Sequence, residues 1–453
     1  MKGITGATAD FIRAHADDDI RQLALKGAKD PDVDLPFALD QIAGRQTARR
    51  KLPSWAATDG IIYPPHLSME QCSSEQTANY KKTLAQPLPI RRGGDTSSDE
   101  DNGVGNNSLP VGRAGGGSFV DLTGGFGVDF SFMAQGFQEA VYVERQEHLC
   151  DIARHNFDIL GLKAEVVCCD SVEYLHQMPH VDLIYIDPAR RDDHGQRTYG
   201  ISDCTPDVVA LRDLLLEKAD RVIIKLSPML DWRKAVQDLG ESYVHEVHIV
   251  SVQNECKELL LVLEGTLPRP LPIGRGGDTS RPDGRGMVET DNGLRLSCVN
   301  ILHDGNIEQF VAHTTPKSNF PPPYREGLGE GLYLYEPNAS IMKAGCFNEV
   351  ANAFGVSALA PNSHLFVSDS LVVDFPGRAF HIDAITTLNK RELRTALAGI
   401  TQANITVRNF PLTVAQLRSR LKLSEGGSTY IFATTLADKS HVLLICRKTS
   451  TPV

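Results

Sequence analysis

The chain has 453 residues, 41% hydrophobic and 23% charged, as in a soluble globular protein of two to four domains. It contains no run of about 20 apolar residues that would span a membrane. Its polar N-terminus, Met1 to Asp19, lacks the apolar core of a signal peptide. The formal net charge of −11 excludes a surface that is basic all over, but not a local basic patch.

The first block, residues 1–85, reads as helical. Ile20, Leu23, Ala24 and Gly27 follow a helical period, and Phe37 to Ala48 repeats it. Ser68-Met69-Glu70-Gln71 has the form of a capping box, which predicts a helix from there to about Leu84. Residues 86–117 form a low-complexity insertion rich in Gly, Pro, Asp and Ser, and residues 266–293 form a second. The phrase Pro87 to Ser97 recurs with one change at Pro270 to Ser280. Such segments bury too little apolar area to offset chain entropy, so disorder is expected of both.

Between the insertions, residues 118–265 alternate strand and helix. Apolar runs end at Leu122, Val143, Cys169, Ile186 and Leu226, the pattern of a parallel sheet covered on both faces. Thr205 followed by Pro206 predicts a helix N-cap with proline at the first helical position. A helix over Trp232 to Leu239 and strands over Val244 to Val252 and Glu258 to Leu263 follow, the two strands antiparallel neighbours because their link is short. Residues 294–385 read as an α+β region of ferredoxin-like form, with a hairpin turned at Asp304-Gly305. Residues 386–453 add a strand at Ile405, a helix capped by Thr413 and Gln416, and two closing strands. From Ser340 onward there are 12 Lys+Arg against 7 Asp+Glu, a local charge of +5, so the remainder carries −16. The nine cysteines are an odd number, scattered, without a Cys-x-x-Cys pair. They read as reduced, buried thiols of a cytoplasmic protein, and no metal site is expected.

The densest chemistry lies in Phe119-Val120-Asp121-Leu122-Thr123-Gly124-Gly125-Phe126-Gly127-Val128-Asp129, a strand running through a glycine turn into a helix. A dinucleotide site would need a third glycine where Phe130 stands, and Asp121 would repel a pyrophosphate. Asp121 suits instead the positive α-amino group of a methionyl moiety. Glu144 ends the next strand, 17 residues beyond Gly127, placed to accept from ribose hydroxyls. Asp170 ends the third, where a carboxylate can accept from an adenine amino group. Three acids at successive strand ends define a cleft at the carboxyl edge of the sheet.

The fourth strand ends Leu183-Ile184-Tyr185-Ile186-Asp187-Pro188-Ala189-Arg190-Arg191. With this segment the chain resembles class I S-adenosylmethionine-dependent methyltransferases that carry a C-terminal THUMP-like domain. The resemblance takes in Ser68 to Cys72, Gln253 to Glu258, Tyr335 to Asn338, Arg408 to Phe410 and Tyr430 to Thr435. It implies an α/β fold, a Rossmann-like class I methyltransferase sheet with an N-terminal helical region and a C-terminal α+β THUMP-like module. It further implies S-adenosylmethionine as cofactor and RNA, with tRNA foremost, as substrate and partner. The cofactor-binding candidates are Asp121, Thr123, Gly124, Gly125, Phe126, Gly127, Glu144, Arg145, Asp170 and Ser171. The catalytic candidates are Asp187, Pro188 and Arg190.

The aromatic that stacks on a target amine in amino-group methyltransferases is missing, because Ala189 and Arg190 follow Pro188, and this counts against an exocyclic base amine. Uracil C5 methyltransferases share the Asp-Pro-x-Arg form but attack with a cysteine near the fifth strand end, where this chain has Leu226-Ser227-Pro228. Nitrogen is therefore the expected acceptor. Arg190 and Arg191 could clamp a phosphate. Arg408, Arg418, Arg420, Lys422 and Lys448 read as a nucleic-acid grip, while Arg45, Arg49, Arg50 and Lys51 read more as plain surface. The competing expectations are a protein or small-molecule methyltransferase, and an RNA-binding protein that keeps the fold without the catalysis.

Overall fold

A computed structural model describes residues 5–86, 116–190, 200–265, 293–313, 331–360 and 362–449. The expected disorder of the two Pro-Leu-Pro-Ile phrases concerns residues outside that set, as does Arg191. The chain divides into two compact units, one of residues 1–245 and 260–287, the other of residues 246–259 and 288–453.

The first unit opens with six helices: α1 (Gly6–Ala14), α2 (Ile20–Lys26), α3 (Leu35–Lys51), α4 (Pro53–Ala57), α5 (His66–Gln71) and α6 (Glu75–Leu84). Short polar residues start several of them by taking an orphan backbone N–H. Asp19 accepts from Gln22 and Asp34 from Phe37. The capping box expected at Ser68 does not form. Ser68 lies inside α5, the chain breaks at Cys72-Ser73, and Ser74 starts α6 by accepting from the Thr77 N–H at 3.2 Å. The break has a cause: the Ser73 hydroxyl is turned away to donate to Asp129 Oδ2 at 2.7 Å.

The sheet of this unit consists of β1 (Ser118–Asp121), β2 (Glu139–Glu144), β3 (Glu165–Cys168), β4 (Val181–Ile186) and, after the short pair β5 (Ala189–Arg190) and β6 (Cys204–Thr205), β7 (Ala219–Leu226). The order β7-β4-β1-β2-β3 is parallel throughout. Helices α7 (Val128–Met133), α8 (Glu147–Ile159), α9 (Ser171–Gln177), α10 (Val208–Lys218) and α11 (Trp232–Leu239) connect or follow these strands. Strand order reverses between β1 and β4, and the carboxyl ends on either side of such a reversal open a crevice. Thr205 does not cap α10. It pairs with Ala189 across β5 and β6, and Asp207 does the capping by accepting from the N–H groups of Val209 and Ala210.

The N-terminal helices and this sheet share one core. Trp55, Tyr63 and Met69 pack with Phe126, Phe132 and Leu149, all at most 9% exposed. Trp55 and Phe126 meet edge to face at 5.0 Å between ring centroids. Truncating an aromatic such as Trp55 would cost about 3–5 kcal/mol.

Strand β8 (Val244–Val252) is joined to β9 (Glu255–Glu264) through Gln253-Asn254. In the second unit β8 runs parallel to β10 (Arg295–Ile301), which pairs antiparallel with β11 (Ile307–His313) around Asp304-Gly305 as expected. Six further strands follow: β12 (Tyr333–Pro337), β13 (Ser357–Ala358), β14 (Phe366–Ser368), β15 (Gly377–Thr386), β16 (Asn404–Arg408) and β17 (Thr429–Thr435). With the closing β18 (His441–Lys448) they form a sheet of order β13-β14-β12-β15-β18-β17-β16. Helices α12 (Ala339–Ala344), α13 (Phe347–Phe354), α14 (Lys390–Ala396) and α15 (Val414–Leu421) accompany it. The capping box of Thr413 and Gln416 forms in full. Leu417 on α15 packs on Ile405, Ile431 and Leu443. Among the described residues no helix is long and apolar enough to cross a membrane.

Candidate active site

The glycine turn after β1 is shaped by rings behind it. A Cβ on Gly124 would run into the Tyr142 ring, and one on Gly127 would come within 2.9 Å of Phe157. Gly127 also sits at φ 85°, where side chains are strained. Gly125, at φ 55°, has open space before it, with only Thr123 O at 3.8 Å from such a Cβ. Two glycines thus allow close packing, and the third leaves room for a ligand. The Tyr142 hydroxyl donates to the Gly125 carbonyl and locks the turn.

The expected acids border this turn. Asp121 is 1% exposed and accepts from the Thr123 N–H through Oδ1 at 2.9 Å. Burial pushes its carboxyl well above the ordinary range; the Thr123 bond works against this, while Asp129, Asp187 and Glu144 add to it. Such a group of acids favours a cation. Glu144 clamps the turn: Oε2 accepts from Gly125 N at 3.0 Å and Oε1 from Gln146 N at 2.9 Å. Each oxygen keeps acceptor capacity, since a carboxylate has about four lone-pair sites. Asp170 is the exposed N-cap of α9, where Oδ1 accepts from Val172 N at 2.8 Å and Glu173 N at 3.3 Å. Ser171 is the first residue of that helix, and Arg145 is exposed just beyond β2.

Asp187 follows β4, and its backbone N–H donates to Thr123 Oγ1 at 2.6 Å, tying the ends of β1 and β4 together. Thr123 is therefore a strut of the crevice. Pro188 is buried behind Asp187. Arg190 pairs through its backbone with Cys204, and its side chain lies outside the described residues. Phe126 is placed differently from expectation. Its ring faces Trp55 and Tyr63 in the shared core, so only its backbone belongs to the turn.

Sequence reading missed the ionic centre beneath this crevice. Asp129, on the first turn of α7, has Lys81 Nζ at 3.1 Å from Oδ1 and accepts from Ser73 Oγ and Tyr185 Oη at 2.7 Å each through Oδ2. Lys225 Nζ lies 3.6 Å from that same Oδ2 and donates to Asp187 Oδ2. Burial alone would raise the Asp129 pKa, but Lys81, Lys225 and the two hydroxyls outweigh it and hold it at about 2. A signal was present, because Asp129 and Tyr185 each sit in a motif read for other residues, and Lys225 directly precedes Leu226-Ser227-Pro228. Lys81 had none.

The basic residues outside this centre are partly committed. Arg49 pairs with Asp17, and Lys51 donates to the carbonyls of Met69 and Glu70. Arg408 and Arg378 share the buried Glu336, and Arg418 donates to Ala403 O at 3.0 Å. Those contacts tie Arg408 and Arg418 into the fold, while Arg420, Lys422 and Lys448 are exposed.

Family models for a ferredoxin-like domain and for a THUMP domain-like region match residues 333–376 and 377–448. No curated protein matches. A solved structure from Porphyromonas gingivalis W83, assigned as a methyltransferase, matches at 30% identity over 98% of each chain, with a TM-score of 0.77. A protein of Listeria monocytogenes, assigned to the class I S-adenosylmethionine-dependent methyltransferases, matches at 10% identity, over 59% of this chain and 91% of its own, TM-score 0.35. An rRNA methylase of Streptococcus thermophilus matches at 16% identity, over 33% and 87%, TM-score 0.26. These two distant likenesses carry no argument about function. The full-length relative shows that this chain belongs to the family of that Porphyromonas gingivalis methyltransferase, and the family matches give it a ferredoxin-like and a THUMP-like domain.

Proposed function

We propose that the protein is an active methyltransferase that uses S-adenosylmethionine and acts on RNA, with tRNA the first substrate to test. The observation that carries the cofactor reading is the buried Asp121 carboxylate beside the open face of Gly125, in a crevice of acids at the sheet's switch point. When bound, S-adenosylmethionine supplies an electrophilic methyl group. Asp121 would hold its ammonium, Glu144 its ribose hydroxyls and Asp170 its adenine amino group. Thr123, Gly124, Gly125, Gly127, Arg145 and Ser171 are the backbone and rim around those three.

On this reading Asp187 orients the acceptor nitrogen, and Lys225 positions Asp187 by engaging one of its oxygens. Positioning of this kind matters more in the transition state than in binding. Pro188 stiffens the chain at that point, and Arg190 is the residue proposed to meet a substrate phosphate. The RNA reading rests on the THUMP-like match and on the basic charge from Ser340 onward.

Calorimetry and a tritiated-methyl transfer assay on total RNA test the proposal together. Asp121→Ala or Glu144→Ala is expected to weaken S-adenosylmethionine binding roughly tenfold to a hundredfold, the loss of a hydrogen bond to a charged group. Asp187→Ala is expected to abolish transfer with affinity changed only a few-fold. Label appearing on protein, or no cofactor binding by the unmutated chain, would overturn it.

A further inference from the structure

A second pocket lies wholly within the second unit. It encloses about 310 Å³, at the lower end of the range for small-ligand sites. It draws together residues outside the methyl-transfer crevice: Gln253 and Asn254 between β8 and β9, Asn338 at the end of β12, Arg378 on β15 and Lys448 on β18.

Asn338 is the informative wall residue. It is 3% exposed, and its Oδ1 accepts from Ser340 Oγ at 2.7 Å and from Ile341 N at 3.2 Å. These bonds fix the amide, because the flipped form would set two N–H groups against each other. Nδ2 is left buried without a partner, the state a bound acceptor would relieve. Asn254 is used in the same way, its Oδ1 accepting from Ala339 N at 2.6 Å and its N–H donating to Asn300 Oδ1 at 2.9 Å. Asn300 Nδ2 in turn donates to Glu308 Oε2 at 3.0 Å, so the amide oxygens of Asn254, Asn300 and Asn338 are all engaged while the Asn338 donor remains.

The charge has the matching sign. Arg378 spends Nε and Nη2 on Glu336, which also takes Arg408, and Lys448 is exposed at the rim. Three cations therefore stand against Glu336 and Glu308. Val373, 55% exposed, and Phe375, buried, supply an apolar side. A surplus of donors, two accessible cations and an apolar face select an acceptor-rich anion with a flat organic body.

We propose that this pocket binds a free nucleoside monophosphate. Arg378 and Lys448 hold the phosphate, the Asn338 amide donates to a base oxygen or ring nitrogen, and the base lies along Val373. The site is separate from the methyl-transfer crevice and does not depend on that reading.

The test is calorimetric titration of the full chain with AMP, UMP and inorganic phosphate, each with saturating S-adenosylhomocysteine to block the first unit. At least one nucleotide is expected to bind with Kd below about 1 mM, and inorganic phosphate at least about tenfold more weakly. Asn338→Asp keeps the oxygen that caps α12 but replaces the donor with an acceptor, and should weaken nucleotide binding at least about tenfold. Lys448→Ala should weaken it several-fold. Loss of binding under S-adenosylhomocysteine, equal affinity for inorganic phosphate, or unchanged affinity in a natively melting Asn338→Asp overturns the proposal. Should Asn338→Asp not fold, Lys448→Ala decides, and unchanged affinity there overturns it as well.

Discussion

The ammonium of Lys81 lies 3.1 Å from Asp129 Oδ1, with the lysine side chain wholly buried and the aspartate 10% exposed. The pair joins α6, from the N-terminal helical region, to the helix that leaves the glycine turn. Through Lys225 it extends to Asp187. A structural ion pair and the proposed catalytic acid thus share one hydrogen-bonded group.

Breaking this pair should be costly and unequal. Asp129→Asn leaves Lys81 charged and buried, an arrangement that costs about 3–5 kcal/mol. Lys81→Met should cost less, because Asp129 keeps Lys225, Ser73 and Tyr185. Asp129, held at about 2, contributes stability that is complete above the ordinary carboxylate range and lost as pH falls through about 2. Urea unfolding of both variants reads the difference, and equal losses would refute the network.

Asp121 should act with the opposite sign. Its folded pKa is raised by burial, so its contribution is present below the ordinary carboxylate value and is lost as pH rises through the folded value. Asp121→Asn cannot ionise and should therefore gain on the unmutated protein as pH rises above about 4. S-adenosylmethionine should narrow that gap by pairing its ammonium with the carboxylate. Melting curves from pH 4 to 8 decide this, and parallel profiles would show that Asp121 does not ionise alone in the crevice.

The three glycines should separate by mechanism. Gly124→Ala forces a methyl group into the Tyr142 ring, an overpacking that costs about 1–3 kcal/mol. Gly127→Ala adds positive-φ strain to a contact with Phe157. Gly125→Ala meets open space, so about 1 kcal/mol of backbone strain is expected. Its main effect should be weaker cofactor binding. Thermal melts beside calorimetry test the ranking, which fails if Gly125→Ala is the least stable of the three.

The sheet, its glycine turn and its strand-end acids were legible because they follow short-range rules. Periodicity marks strands, and a strand running into glycines marks a close backbone approach. The capping box of α15 was legible for the same reason. What failed at Ser68 and Thr205 failed because a distant partner outweighed a local motif: Asp129 draws Ser73 aside, and Ala189 pairs with Thr205. The Lys81 centre was illegible because 48 residues separate the lysine from Asp129 and no spacing rule reaches that far. The burial of Phe126 was illegible because it depends on Trp55 and Tyr63, which no local pattern brings together with it.

The C-terminal module offers the last test, and the structure changes which residues belong in it. Arg418 donates to the Ala403 carbonyl and Arg408 to Glu336, so removing either disturbs packing as well as charge. Arg420 and Lys422 are exposed at the C-terminal end of α15, and neutralising both should leave the fold intact. If they meet RNA phosphates, each contact releases counterions, and the slope of log affinity on log salt should fall in size by about 0.7 per residue for single strands. The double variant Arg420→Ala/Lys422→Ala should then lose about 1.4 of that slope while its S-adenosylmethionine affinity stays unchanged. A module that serves protein assembly would instead change oligomeric state and keep its RNA slope. A fold without catalysis would lose slope as expected, yet transfer no methyl group even before mutation. Salt titrations of tRNA binding, beside the tritiated-methyl assay on the same preparations, distinguish the three. RNA binding that is absent or independent of salt in the unmutated protein would overturn the RNA assignment and leave the methyl-transfer site to another acceptor.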